Sequence, residues 1–465
     1  MSDAFPFFAA AGAPAIPVHA LAEEAWDLWL AARPAHQRQW LKATEFKPAR
    51  GRFALLPNMD GSMDCVVLGL GKDGFLADPH LWGGLASSLP EGDYAIAPAL
   101  EPEAAYMAAL GWALGRYRFT RYLKPSGGTP RLVLPDNVTP RDVEAAVGAH
   151  FLVRDLVNTP ANDMDPAALS AAARQVAERR GAGFREIVGD DLLTENFPAI
   201  HTVGRASATP PRLIDITWGN EAHPKVTIVG KGVCFDTGGL NLKPGNSMRL
   251  MKKDMGGGAH ALGLAAWIMD SGLPVRLRCL VPAVENSVSG NAYRPGDVMP
   301  TRKGLTVEID NTDAEGRNIL CDALALADEE SPELIIDFAT LTGAARVALG
   351  PDLPALFTPD QALADDFARH GQAQSDPVWR LPLWSPYADF LESRIADICH
   401  ASSSGFAGAI TAALFLQRFV EKAGAWAHID LYAWNQRSRP GRPEGGEAMS
   451  LRAAHALICA RYGKG

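Results

Sequence analysis

The chain has 465 residues, more than one ordinary hydrophobic core accommodates, so two or three domains are expected. Hydrophobic residues make up 47% and charged residues 21%, which excludes a largely disordered chain. A formal net charge of -9 excludes any general attraction to nucleic acid or to anionic membrane.

Ala4 to Val18 is nearly all apolar, but Asp3 stands where an export signal needs a basic region. Pro6, Pro14 and Pro17 would also break a signal helix, so this is read as an N-terminal segment of the folded protein. No run approaches the roughly 18 apolar residues that span a bilayer. The cysteines Cys65, Cys234, Cys279, Cys321, Cys399 and Cys459 are scattered without a CxxC pair, which suits reduced, buried thiols. A cytoplasmic location is expected.

Leu21 to Leu41 reads as mostly helical with a break near Pro34, Asp64 to Leu70 as a strand, and Tyr106 to Tyr122 as an amphipathic helix. Lys124 to Pro140 is loop-rich and has the composition of a domain edge. Arg141 to Val157 reads as a helix with Thr139 at its N-cap and Pro140 at its first position. Domains are therefore expected at 1–136 and 158–465, joined by a linking helix at 137–157.

Beyond it, Val226 to Gly230, Val275 to Ala283, Leu305 to Ile309 and Leu334 to Phe338 read as short buried strands. Gly257 to Ser271, Arg317 to Glu330 and Gly408 to Lys422 read as helices. The expected fold is α/β with two domains. The larger C-terminal domain has a mixed central sheet flanked by helices on both faces, and the smaller N-terminal domain is also α/β. Ligands of such folds gather where loops leave the carboxyl ends of strands.

Three segments place acids and lysines there. In VGKGVCFDTGGLNLKP (229–244) a strand enters a glycine-rich loop holding Lys231, Asp236 and Lys243. Gly232, Gly238 and Gly239 permit tight turns. The GxxxxGK[ST] order of a phosphate loop is absent. In MKKDMGGG (251–258) Asp254 precedes a glycine run that opens a helix, where helix capping is the competing reading. In DNTDAEGR (310–317) an extended backbone would point Asp313 and Glu315 to one side, Gly316 allows a sharp turn, and Arg317 starts a helix. Each segment alone could be a solvated loop. Together Asp236, Asp254, Asp313 and Glu315 supply four negative charges, which two divalent cations balance. Oxygen-rich ligation without histidine or cysteine suits hard or borderline ions and not a structural zinc site.

GKGVCFDTGGLNLKP (230–244), MKKDMGG (251–257), NTDAEGR (311–317) and DFATLTGA (337–344) carry a resemblance to the leucyl aminopeptidase, or cytosol aminopeptidase, family, peptidase family M17. NTPAN (158–162) and AGAITAALFLQRFV (407–420) agree, and the similarity covers roughly Arg154 to Trp434. The resemblance implies a metalloaminopeptidase that hydrolyses the N-terminal residue of peptides, leucine-like first residues preferred, through a water activated by two metals. It implies one metal on Lys231, Asp236, Asp254 and Glu315, and a second on Asp236, Asp313 and Glu315. The ions would be Mn2+ or Zn2+, with Mg2+ and Co2+ as alternatives. Lys243 would stabilise the oxyanion, and Arg317 would hold a bicarbonate that shuttles the proton. Met251, Thr340, Leu341 and Gly343 would line the first side-chain pocket, although Met251 also suits ordinary core packing. The partners implied are peptides with a free N-terminus and five further copies of the chain in a homohexamer.

Gly258 and His260 stand where the family usually carries alanines, and His260 is expected to pack or hydrogen-bond behind the site. PGRPEGGEAMSLRAAHAL (440–457) lacks the usual ATGFGVR-like form. Two other classes compete with the enzyme reading. A DNA-binding architectural protein would need a basic patch, and the N-terminal half shows none. A metal-free scaffold conflicts with the presence of every motif ligand.

Overall fold

The computed structural model describes residues 6–463 except 73, 76, 77, 125–128 and 403. Part of the loop-rich stretch read at Lys124 to Pro140, and the first two residues of the apolar N-terminal segment, therefore lie outside the described residues. The chain divides into two compact units. The first runs to Phe151 and takes in Gln436–Glu444; the second comprises Leu152–Asn435 and the chain from Gly445 onward.

The first unit holds a six-stranded sheet in the order Phe8–Ala9, Pro130–Val133, Gly92–Ile96, Ile16–Ala22, Met63–Gly71, Phe53–Pro57. All neighbours run parallel except the closing hairpin of Phe53–Pro57 with Met63–Gly71. The helical reading of Leu21 to Leu41 holds from Trp26, in two helices, Trp26–Ala31 and Ala35–Ala43, parted near Pro34. The strand Ile16–Ala22 that precedes them was not expected, because Pro17 disguises it. The helix read at 106–122 spans Pro102–Arg116 instead. It ends where Tyr117 turns extended and lays its ring 4.9 Å from that of Phe151. The helix Pro140–Asn158 follows.

The second unit is built on a nine-stranded mixed sheet. Its centre is four parallel strands, Trp426–Asp430, Leu334–Ala339, Lys225–Gly230 and Arg276–Asn286. Antiparallel partners flank them: Ala355–Phe357 on one side, then Arg212–Trp218 and Gly183–Val188 on the other. The central strands read as apolar runs because both faces are covered. Alternation along Lys225–Gly230 divides the two faces. Val229 packs into a core with Leu280, Ile319, Leu320 and Ile335. Gly230, pointing oppositely, lies against Gly257, Gly258 and Ala261 of the helix Gly256–Asp270.

Strand Arg276–Asn286 runs past the body of the sheet and pairs with Gly232–Asp236, setting Asp236 opposite Asn286. The parallel strands thus deliver Lys231, Asp236, Thr340 and Asp430 to one edge, at their carboxyl ends. Of the six cysteines, all but Cys459 are buried. Among the described residues no helix is long and apolar enough to cross a membrane.

Candidate active site

Lys231 is the single residue between the strands Lys225–Gly230 and Gly232–Asp236. Its N–H donates to the Phe338 carbonyl at 2.9 Å, and its own carbonyl accepts from Gly258 N–H at 2.6 Å. Asp236 closes the second strand. Gly238 and Gly239, with φ of 86° and 62°, reverse the chain, so that Lys243 N–H returns to the Thr237 carbonyl at 2.9 Å. Gly232 serves close packing instead, since a Cβ there would lie 2.6 Å from the Pro282 carbonyl oxygen.

One sequence expectation needs correction, and one competing reading falls away. Asp254 does not cap the helix Gly256–Asp270. It follows the turn Met251–Lys253, and its Oδ1 accepts from Thr340 Oγ1 at 2.8 Å. Asp313 and Glu315 do not share an extended strand. Asp313 sits in a turn, and Glu315 is the first residue of the helix Glu315–Glu329, which therefore starts before Arg317. Gly316, inside that helix, makes no turn. A Cβ on it would stand 2.5 Å from Lys231 Cε and 2.8 Å from Nζ, so glycine leaves the space that Lys231 occupies.

These elements bring one carboxylate oxygen each from Asp236, Asp313 and Glu315 within 4.8 Å of one another. Lys231 Nζ stands 2.7 Å from Asp254 Oδ2 and 2.8 Å from Glu315 Oε1, and donates to the Thr340 carbonyl at 2.9 Å. Lys243 Nζ stands 2.7 Å from Asp236 Oδ2 and 2.5 Å from Asp313 Oδ1.

Four carboxylates thus face two ammonium groups at ion-pairing distance. Burial, then Asp236, pushes Glu315 up to about 7. Burial, then Asp254, pushes Asp236 up to about 6, and burial also raises Asp313. Burial opposes ionisation of Asp254, yet Lys231 and Lys253 outweigh it and hold this carboxyl below its ordinary value. Burial likewise opposes the charge on Lys231, but Asp254, Glu315 and Asp236 hold it well above the usual lysine range. Lys243 is raised in the same way, by Asp236 and Glu315.

Arg317 is buried, and burial pushes it down to about 10. One Nη1–H donates to the His400 carbonyl at 2.7 Å, while Nε has no hydrogen-bond partner among the described residues. His400 braces the acidic loop. Its Nε2 lies 2.8 Å from the Asn311 carbonyl, and Asp310 N–H donates to Nδ1 at 3.2 Å.

Two family models match the chain: the catalytic domain of the cytosol aminopeptidase family over residues 151–454, and the M17 aminopeptidase N-terminal domain over residues 16–135. The chain belongs to the M17 cytosol aminopeptidase family. It is a peptidase that acts on the N-termini of peptides. A probable cytosol aminopeptidase of Syntrophotalea carbinolica is 41% identical over 382 residues, 78% of this chain and 76% of that one. The cytosol aminopeptidase from Coxiella burnetii has a solved structure that superposes with a TM-score of 0.93 at 47% identity. The match covers 97% of this chain and 98% of the other. The bottromycin maturation enzyme BotP in complex with Mn matches with a TM-score of 0.87 at 32% identity, over 96% and 99% of the two chains.

M17 enzymes are metal-dependent, and this donor set fits such ions. It is rich in oxygen, carries more negative than positive charge, and leaves Glu315 Oε2 buried without a hydrogen-bond partner among the described residues. Two of the expected departures, Gly258 and His260, also find a physical account. A Cβ on Gly258 would meet Val281 Cγ1 at 2.8 Å, so glycine lets this M17 chain seat the helix Gly256–Asp270 close to the sheet. His260 lies between the Gly256 carbonyl and Met449 N–H, its ring stacked on Phe338.

Of the expected pocket residues, Met251 is half-buried beside Asp254, Thr340 touches Asp254, and Leu341 N–H donates to Asp430 Oδ1 at 3.0 Å. Gly343 opens the helix Gly343–Leu349. Sequence reasoning missed Asn286, whose Nδ2 donates to Asp236 Oδ1 at 2.8 Å and to the Thr312 carbonyl at 2.9 Å. It also missed Lys253, which burial pushes down to about 8 against the pull of Asp254. The doubled lysine of MKKD was the available signal for Lys253; Asn286 had none.

Proposed function

We propose that this chain is a two-metal aminopeptidase. Lys231, Asp236, Asp254, Asp313 and Glu315 would hold the ions, and Asp236 and Glu315 would serve both. The observation that carries the reading is the convergence of four carboxylates on two lysines, with Glu315 Oε2 left unpartnered. When bound, the ions would supply Lewis acidity at the scissile carbonyl and lower the pKa of a water molecule. The surrounding carboxylates favour the protonated form of Lys231, so its service as a ligand requires deprotonation, with added positive charge compensating the carboxylates.

A free α-amine on the substrate would serve, in its neutral form, as a ligand to one of the ions, which suits removal of the first residue alone. Lys243 directs its ammonium at the negative charge that develops on the carbonyl oxygen. Arg317, whose buried Nε has no hydrogen-bond partner among the described residues, is suited to hold a small anion such as bicarbonate, which would supply a proton to the leaving amine. Met251, Thr340, Leu341 and Gly343 line the first side-chain pocket and favour leucine-like residues.

In this reading residues 158–465 carry catalysis, 137–157 link them to the domain 1–136, and the enzyme works as a cytoplasmic homohexamer on peptides with a free N-terminus. A panel of aminoacyl chromogenic amides, assayed after metal removal and separate return of Mn2+, Zn2+, Co2+ or Mg2+, tests it. Bound metal is counted per chain by mass spectrometry. Activity that survives complete metal removal, or fewer than two ions in the restored enzyme, overturns the two-metal reading.

A further inference from the structure

A pair of cations beside the carboxylate cluster takes no part in the mechanism above. Lys253 is only 4% exposed, and its Nζ lies 4.8 Å from the centre of the Tyr432 ring. The Arg346 guanidinium lies 4.9 Å from the same centre. Among the described residues, neither cation has a hydrogen bond or an ion pair. The neighbouring acids are already engaged. Asp254 is held by Lys231 and Thr340, and Asp430 accepts from Leu341 N–H, Thr342 N–H and Thr342 Oγ1. A buried ammonium carries a large desolvation cost, and a ring face offsets it only in part. The missing component is an anion.

Position says where that anion comes from. Lys253 immediately precedes Asp254, whose Oδ2 pairs with Lys231 Nζ at 2.7 Å. Thr340, which bonds Asp254, leads directly into the helix Gly343–Leu349 that carries Arg346. Arg346 folds back over the start of that helix, where a Cβ on Gly343 would lie 3.9 Å from its Nη2. The cations therefore border the cluster at which an aminopeptidase must place its substrate's first residue.

We propose that Lys253, Tyr432 and Arg346 form a subsite for the side-chain carboxylate of that first residue, so that peptides beginning with glutamate or aspartate are substrates. The proposal rests on the aminopeptidase reading and deepens it. The stem of such a side chain is aliphatic, like that of leucine; its end is charged, and Lys253 and Arg346 supply the opposite charge. A free carboxylate or bicarbonate shares this chemistry, and the experiment separates the two sources.

The test uses the Mn2+-loaded enzyme with Glu-, Gln- and Leu-p-nitroanilides. Glutamine matches glutamate in shape and lacks its charge. The expected kcat/KM ratio of Glu to Gln is about tenfold or more, expressed mainly in KM. Arg346→Gln and Lys253→Met each bring the ratio toward one, and Arg346→Lys retains most of it. Because the ratio is read within each variant, partial loss of folded protein does not blur it, and Arg346 sits on an exposed helix face should Lys253→Met fail to fold. A wild-type ratio at or below one, or a ratio unchanged in both variants, overturns the proposal. So does equal stimulation of the Glu and Gln substrates by added bicarbonate with a ratio of one, which marks a free anion as the occupant. Calorimetric titration of the same enzyme with L-glutamate and L-glutamine gives a second reading. Tighter glutamate binding without cleavage of any substrate keeps the subsite and removes the peptidase reading, while equal binding removes the subsite alone.

Discussion

Met449 N–H donates to His260 Nε2 at 2.9 Å, while His260 Nδ1 lies 2.6 Å from the Gly256 carbonyl. One ring nitrogen accepts and the other donates, which is the pattern of a neutral imidazole. His260 and the segment around Met449 are both departures from the family's usual sequence, and here they complete each other. Replacing His260 with alanine leaves the Met449 donor unpaired and opens a void beside Phe338. His260→Ala is expected to destabilise the enzyme by about 2–4 kcal/mol, read from the shift in urea midpoint.

The same bond pattern predicts a pH dependence. Burial lowers His260 from 6.5 to about 4, against the smaller opposing pull of the Gly256 carbonyl, Asp376 and Glu447. The unfolded chain takes up its proton near 6.5 and the folded chain only near 4. Stability is therefore lost as pH falls through that window, by on the order of 3 kcal/mol from this residue. Urea midpoints at pH 7.5 and 5 should diverge more for the wild type than for His260→Gln. An equal divergence would contradict the assignment.

Gly316→Ala sets helix propensity against packing at the site. Alanine is the better helix former by about 1 kcal/mol, so the helix itself gains. The new methyl would stand 2.5 Å from Lys231 Cε, forcing Nζ away from Asp254 and Glu315. Overpacking and the disturbed buried ion pairs outweigh that gain, so the expected result is lower thermal stability, lower metal content and a kcat/KM reduced about tenfold or more.

Three substitutions test the division of labour at the site. Lys243→Ala and Arg317→Ala should lower kcat about a hundredfold while leaving bound metal largely intact. Asp254→Ala should reduce metal occupancy. Full metal and full activity in Asp254→Ala would remove this carboxylate from the donor set.

Asn286 holds Asp236 in place from the neighbouring strand. Asn286→Ala removes a donor from Asp236 Oδ1 and leaves the Thr312 carbonyl without this donor. Both metal affinity and kcat should fall, by about 10- to 100-fold, as for other residues that orient ligands. Metal titration with a competing chelator measures the first.

The parallel core was legible because its strands are uninterrupted apolar runs such as Val226 to Gly230. The glycine-led helix beginning at Gly256 was placed within one residue for the same kind of reason. What misled was local geometry. Asp313 and Glu315 sit two apart, as in a strand, but a turn and a helix start bring their carboxylates together. The sequence pattern ends the strand Arg276–Asn286 at Ala283, because nothing in Val284-Glu285-Asn286 signals that it continues beside Gly232–Asp236. Asn286 was lost with it. Lys253, Arg346 and Tyr432 meet from three distant segments, and no spacing rule links them.

The path of the chain near its end limits how this protein can be divided. It leaves the second unit after Asn435, contributes residues 436–444 to the first, and comes back at Gly445. Glu447, on the returning stretch, then pairs in the interior with Arg154 at 3.1 Å and accepts from Asn435 Nδ2. The chain therefore passes between the two units three times. A fragment beginning at Leu152 would carry a nine-residue stretch of foreign architecture between two of its own core segments. Recombination between relatives must exchange that stretch together with the first unit to preserve both.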